Sequence, residues 1–342
     1  MKRPLMLFRE HQSALDQAIF FAQFAEPGDI CFCVGAGGAG KTSLAQILGP
    51  MLYGEQSSQQ SGTKPFILVS LDAADRAYFS SKDFIRSCLL ELGDPFRSRV
   101  EDVSRWELAP EIKQRLVRLT SLHSSRSHGE PEMRAAFVNL AKMLGVKLLI
   151  IDEANMLRLT QKTRVPTDYL ESLRRLGDKA GCSIILFGTI DLLGLLGHSA
   201  QLNRRTSRIH IARMSCRDEC GAIEFTAFLK GIEIDYSITP GLLTEQRFAV
   251  HELTYGIPGE IVGLVKRAKM TAGAEGVELE WKHVSKAGHL PMAWKQMITE
   301  ADLIESTMEG TGSMPDPRAD AAHPKRKIRM KPRRTANSKY SS

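Results

Sequence analysis

The chain has 342 residues, 43% of them hydrophobic and 25% charged, a mix that fills one large or two modest cores and excludes a wholly disordered chain. Its six cysteines are scattered without a paired CxxC set, which excludes a disulfide scaffold; Cys31 and Cys33, inside an apolar run, read as buried thiols. The formal charge of +7 is uneven: residues 323–342 carry eight Lys and Arg and no acid, leaving residues 1–322 at −1, so the basicity belongs to the C-terminal end and not to the folded body. No run approaches the roughly 18 apolar residues of a membrane span, and the N-terminus lacks an apolar core with a small-residue cleavage site; the expectation is a reduced, cytoplasmic protein with no membrane partner.

Taken along the chain, residues 5–25 have helical apolar spacing and stop before Pro27 and Gly28. Residues 30–34 predict a short buried strand, followed by a Gly-rich turn and a helix over 42–53. The polar stretch 54–64 predicts an exposed loop. A second strand is expected over 66–71, helices over 82–92 and 107–122, a polar segment over 123–131 and a helix over 132–144. Then come a strand over 147–152, a helix over 166–180, and strands over 183–188 and 208–212. Apolar strands alternating with helices predict an α/β fold with a parallel sheet covered on both faces. Beyond about residue 214 the strand signal stops, and residues 217–230, 239–255, 258–272 and 291–306 predict a small helical unit. Residues 308–342 have almost nothing to bury and predict a disordered basic tail.

The turn after the first strand reads Gly35, Ala36, Gly37, Gly38, Ala39, Gly40, Lys41, Thr42, Ser43. It matches the P-loop spacing in the required context, a strand before and a helix after. Glycines let backbone N–H groups wrap a phosphate chain, and the helix N-terminus adds its dipole. Lys41 is expected at the β- and γ-phosphates of ATP and Thr42 on Mg²⁺. The third strand ends in Asp152 and Glu153; Asp152 is expected to hold Mg²⁺ and Glu153 to deprotonate the attacking water. The fourth strand ends at Gly188 and Thr189, where the hydroxyl of Thr189 would sense the γ-phosphate if that strand lies between the other two. Arg204 and Arg205, after the next helix, suit a neighbouring subunit's γ-phosphate. Between the second and third strands lie Lys113, Arg115 and Arg118, the last two sharing a helix face. Their charge suits phosphate contacts that position without reading sequence; that the phosphates are those of duplex DNA is what the resemblance given below implies.

P-loop, acidic pair, strand-end threonine, late arginine and helical lid occur in the order of AAA+ ATPases. Within these the chain resembles the TnsC/TniB group of transposition regulators over roughly residues 10–272. The most specific run is Leu173, Arg174, Arg175, Leu176, Gly177, Asp178 through Gly188 and Thr189, with Asp178 where the group carries Asn; Gln201, Leu202 and Arg205 resemble its finger motif and place Arg205 ahead of Arg204. In the lid segment, Gly259 and Glu260 occupy the place where many AAA+ proteins carry a second sensor arginine.

The resemblance implies a P-loop AAA+ core with a five-stranded parallel sheet over residues 30–213, preceded by an N-terminal helical segment over 1–29 and followed by an all-helical lid over 214–307 and the tail over 308–342. It implies a homo-oligomeric ring or helical filament on duplex DNA that links a target-selector protein of the TniQ/TnsD type to transposase subunits, and not the strand-transfer enzyme itself. Two further readings stay open: another AAA+ ATPase such as a helicase loader or replication initiator, and a weakly hydrolysing nucleotide-binding scaffold. The tail has two expected partners, an anionic surface such as DNA or a transposase subunit.

Overall fold

A computed structural model describes residues 8–54, 63–71, 79–93, 129–159, 166–195 and 206–310. The expected helix over 107–122, with Lys113, Arg115 and Arg118, lies outside these residues, as do Arg204, Arg205 and the tail from 311.

The elements are α1 (Arg9–Phe24), β1 (Ile30–Gly35), α2 (Lys41–Tyr53), β2 (Phe66–Ser70), α3 (Ser81–Glu91), α4 (Glu130–Leu144), β3 (Leu148–Asp152), α5 (Pro166–Ala180), β4 (Ser183–Gly188), α6 (Ile190–Gly194), β5 (Thr206–Ile211), α7 (Glu219–Asp235), α8 (Arg247–Thr254), α9 (Pro258–Glu275), α10 (Trp281–Lys286) and α11 (Pro291–Met308). A 3₁₀ turn, Ala154–Arg158, follows β3. The five strands form one parallel sheet in the order β2-β3-β4-β1-β5.

Every residue of β1, β3 and β4 is buried, whereas the edge strands β2 and β5 are only partly covered. Side chains alternate across a strand, so β1 feeds two cores. Cys31 and Cys33 pack with Leu15, Leu44 and Leu48 of α1 and α2 on one face. Ile30, Phe32 and Val34 pack with residues of α3, α4 and α5 on the other, including Ile85, Phe137 and Leu173. Both cysteines are free buried thiols, and burial pushes the Cys33 thiol well up.

The helices after Met214 build a third core from Phe225, Leu229, Ile261, Leu264 and Val284, which Phe8 joins from the start of α1. Two sequence expectations change here. The helical spacing over 239–255 is realised as α8 only from Arg247. Before it, the buried carboxylate of Glu233 accepts N–H bonds from Gly241, Leu243 and Thr244 and holds that stretch in turns. The helix expected over 291–306 forms as α11, but its buried face joins the α/β core and not the lid core: Ala301 and Ile304 lie in one cluster with Ala36 and Ile257.

Strand order places the site. The chain leaves β1, crosses to β2 at the far edge, and returns through β3 to β4, which lies between β3 and β1. Connections after β1, β3 and β4 therefore open at the same carboxyl edge, where ligands of open α/β sheets bind.

Candidate active site

The P-loop leaves β1 at Gly35 and enters α2 at Lys41. Gly40, the N-cap of α2, has φ +90°, and a Cβ there would meet the His11 ring at 2.6 Å, so this corner requires glycine. No side chain caps α2 and its first turn carries no acid. Its free N–H groups and positive dipole end suit an exogenous anion. Lys41 is buried beside them, its Nζ donating to the carbonyls of Gly35 at 2.9 Å and Ala36 at 2.8 Å. Burial pushes its ammonium down; Glu153, then Glu300, then Asp152 oppose that. The cradle fits a nucleotide's phosphates: donors converge, and Gly37 faces open space. Thr42 and Ser43 stand in the first turn of α2, exposed and half-buried respectively.

Asp152, at the buried end of β3, accepts from the N–H of Glu153 at 2.9 Å. Glu153 itself is exposed and left-handed, with φ 53°. A non-glycine residue held there stores local strain, a feature that clusters at functional positions. Gly188 pairs with Val34, so Thr189, next in the chain and half-buried, stands between the P-loop and the β3 end. The structure thus brings Lys41, Asp152, Glu153 and Thr189 to one sheet edge.

Three features escaped sequence reasoning because none is written in local spacing. His11 of α1 donates from Nε2 to the Ala39 carbonyl at 2.5 Å, with its ring stacked on Phe8 at 3.8 Å. Burial pushes its pKa down, and Nδ1 has no partner. In the lid, the N–H of Gly259 donates to the Gly38 carbonyl at 2.9 Å, and a Cβ at 259 would lie 2.8 Å from both Gly38 Cα and its oxygen. Glycine at 259 therefore lets the lid helix touch the P-loop backbone directly. Third, the Asn155 Oδ1 is buried without a hydrogen-bond partner just past the acidic pair.

Among the described residues no group of His, Cys, Asp and Glu forms a metal cluster, and no helix is long and apolar enough to cross a membrane. A groove of about 670 Å³ between α4 and α5, lined by Arg134, Val138, Asp168, Glu171 and Arg175, lies away from the P-loop.

With this geometry in view, a family model described as an AAA domain matches residues 25–196, just over half of the chain. The chain belongs to the AAA domain family. The matched span runs from before β1 to beyond α6, so it contains the P-loop, the acidic pair and Thr189. This AAA domain is accordingly a P-loop ATPase. A search of curated proteins finds no match. Among solved structures, the Aeropyrum pernix ORC2 protein in ADPNP and ADP complexes aligns with TM-score 0.52 and 16% identity, covering 90% of this chain and 77% of that one. Cdc6p from Pyrobaculum aerophilum aligns with TM-score 0.52 and 14% identity, covering 83% and 67%. At such identities the likeness is one of fold alone.

Proposed function

We propose that the protein is an ATP-driven switch that oligomerises on duplex DNA and regulates transposition, linking a target selector of the TniQ/TnsD type to transposase subunits. The observation that carries the switch is the convergence of Lys41, Asp152, Glu153 and Thr189 at one sheet edge under a lid that touches the P-loop at Gly38 and Gly259. The run from Leu173 to Thr189, which forms α5 and β4, supports the regulator class through its resemblance to TnsC/TniB proteins.

In this reading Lys41 exchanges its two P-loop carbonyls for the β- and γ-phosphates. The N–H groups from Gly37 to Ser43 cradle them. Thr42 and Asp152 would hold Mg²⁺, which when bound supplies charge neutralisation at the phosphates. Glu153 takes the proton of the attacking water, and Thr189 orients that water or the terminal phosphate. Arg205, with Arg204 beside it, would come from a neighbouring subunit, so that ATP promotes assembly and assembly promotes hydrolysis. Lys113, Arg115 and Arg118 would track DNA phosphates.

A second reading, another AAA+ ATPase such as a helicase loader or replication initiator, fits the fold shared with ORC2 and Cdc6p equally well. The fold is common to both readings, and recruitment of a transposase subunit separates them. The test of the shared mechanism mixes Arg205→Ala with Glu153→Gln subunits in the presence of duplex DNA. Each pure variant is expected to hydrolyse ATP slowly, and the mixture to recover activity at interfaces that pair an intact arginine with an intact glutamate. A pure Arg205→Ala protein as active as the parent would remove that residue from the site.

A further inference from the structure

From the contact between α1 and the P-loop we infer that His11 is a positioning residue for the nucleotide: it holds the peptide joining Ala39 to Gly40 with its N–H turned into the phosphate cradle. The inference rests on nucleotide binding at the P-loop and names a further residue for the same site.

A peptide unit is planar and trans, so its C=O and N–H point in opposite directions. The Ala39 carbonyl faces α1, where it accepts from His11 Nε2 at 2.5 Å. The N–H of Gly40, on the same peptide, is therefore turned away from α1. Gly40 directly precedes Lys41 at the uncapped start of α2, and its N–H donates to no group among the described residues. A backbone N–H in that place is a donor for a phosphate oxygen. Local sterics do not hold it there, because glycine at φ +90° leaves the peptide free to rotate. The bond from His11 supplies the restraint.

The imidazole is committed to this contact. His11 is 3% exposed. Its ring is stacked on Phe8, and its Cε1–Nε2 edge lies against Gly40, where a Cβ would come within 2.6 Å of Cε1 and 2.9 Å of Nε2. A carbonyl only accepts, so Nε2 carries the ring proton. That leaves Nδ1 buried without a partner, which costs free energy. An apolar side chain of similar size would avoid the cost, whereas the bond to Ala39 requires a donor.

The helix that carries the ring is anchored on both sides of it. Ala14 and Leu15, one turn later on the same face, are buried with Cys33, Leu44 and Leu48. Phe8, three residues earlier, is buried in the lid core with Phe225 and Leu229. Arg9 ties the same turn to α7: its N–H donates to Glu224 Oε2 at 3.2 Å, and its Nη2 donates to Asp218 Oδ2 at 3.2 Å. His11 is thus the point at which a helix held by both the sheet and the lid meets the phosphate loop, and a side chain fixed in this way can hold a peptide plane.

The test uses the full chain with ADPNP and Mg²⁺ and compares the parent with two variants. His11→Gln keeps an amide donor that can reach the Ala39 carbonyl; His11→Leu fills similar space with no donor. Both lose the ring on Phe8, so the difference between them reads the hydrogen bond. Per folded molecule, His11→Leu is expected to bind ADPNP about tenfold or more weakly, the range for losing a hydrogen bond to a charged group, and His11→Gln to stay within about threefold of the parent. In parent protein labelled with ¹⁵N-histidine, the ring signals that His11→Gln removes are expected to be those of the Nε2–H tautomer. His11→Leu binding as tightly as the parent, or His11→Gln binding as weakly as His11→Leu, overturns the positioning role. An Nδ1–H tautomer in the parent overturns it too, and is read even where His11→Leu does not fold. A parent chain that takes up no ADPNP overturns the nucleotide reading beneath it.

Discussion

In the proposed mechanism Lys41 binds and Glu153 does the chemistry, so their substitutions would separate the two. Lys41→Ala removes the one buried ammonium at the P-loop and is expected to lose nucleotide binding. Glu153→Gln keeps the cradle and is expected to bind ATP with near-parent affinity while hydrolysis falls by roughly 10² or more, the range for loss of a general base. Equilibrium binding and single-turnover hydrolysis on the same preparations check both. A second residue-scale outcome concerns acid. Burial lowers the pKa of His11, His210 and His251 below their ordinary 6.5. The fold therefore holds them neutral while the unfolded chain takes up protons near 6.5, so their contribution is complete above that pH and is lost as pH falls below it. The lowered carboxylates Glu171 and Asp218 start from 4.5 and 3.8, so they act at lower pH. Thermal melts are expected to fall between about pH 7.5 and about pH 5.5. His251→Gln, whose amide still donates to the Met214 carbonyl, should flatten that fall; a parent melt independent of pH in this window contradicts the assignment.

At the scale of elements, the run from Leu173 to Thr189 shows what its residues do physically. Leu170, Leu173, Leu176 and Ala180 form the buried stripe of α5. Gly177 on the same helix is where the chain entering β1 passes: a Cβ there would sit 2.8 Å from the Cys182 carbonyl and 3.3 Å from Gly28 Cα. Gly177→Ala is expected to cost about 1–3 kcal/mol, the usual penalty of overpacking, read by chemical denaturation with unchanged ATP affinity per folded molecule. The strands and the P-loop were legible because a buried strand is written in a few adjacent apolar residues, and a phosphate loop in fixed local spacing. The turns before α8 were not, since they depend on Glu233 reaching Gly241, Leu243 and Thr244. α10, with six residues, is too short for periodicity to register. α11 was legible as a helix, but an apolar stripe does not say which core receives it. His11 follows the same logic: its importance comes from Ala39, a contact between segments far apart in the chain.

For the whole molecule, the proposed function makes assembly the step at which a single P-loop domain would become a switch. The body of residues 1–322 is nearly neutral, so the proposed DNA binding would draw on local basic side chains or on the basic end, and phosphate contacts of either kind weaken with salt. Deleting residues 323–342 is expected to leave ATP hydrolysis intact, to reduce DNA affinity mainly at low salt and to reduce transposase capture more steeply; loss of hydrolysis would place that segment inside the catalytic assembly. The most direct measurement of the central claim is electron imaging of Glu153→Gln, the variant expected to trap bound ATP, with and without duplex DNA and with ATP or ADP. The account predicts rings or helical filaments threaded on DNA with ATP and their loss with ADP, whereas single particles in ATP and DNA alike would contradict it.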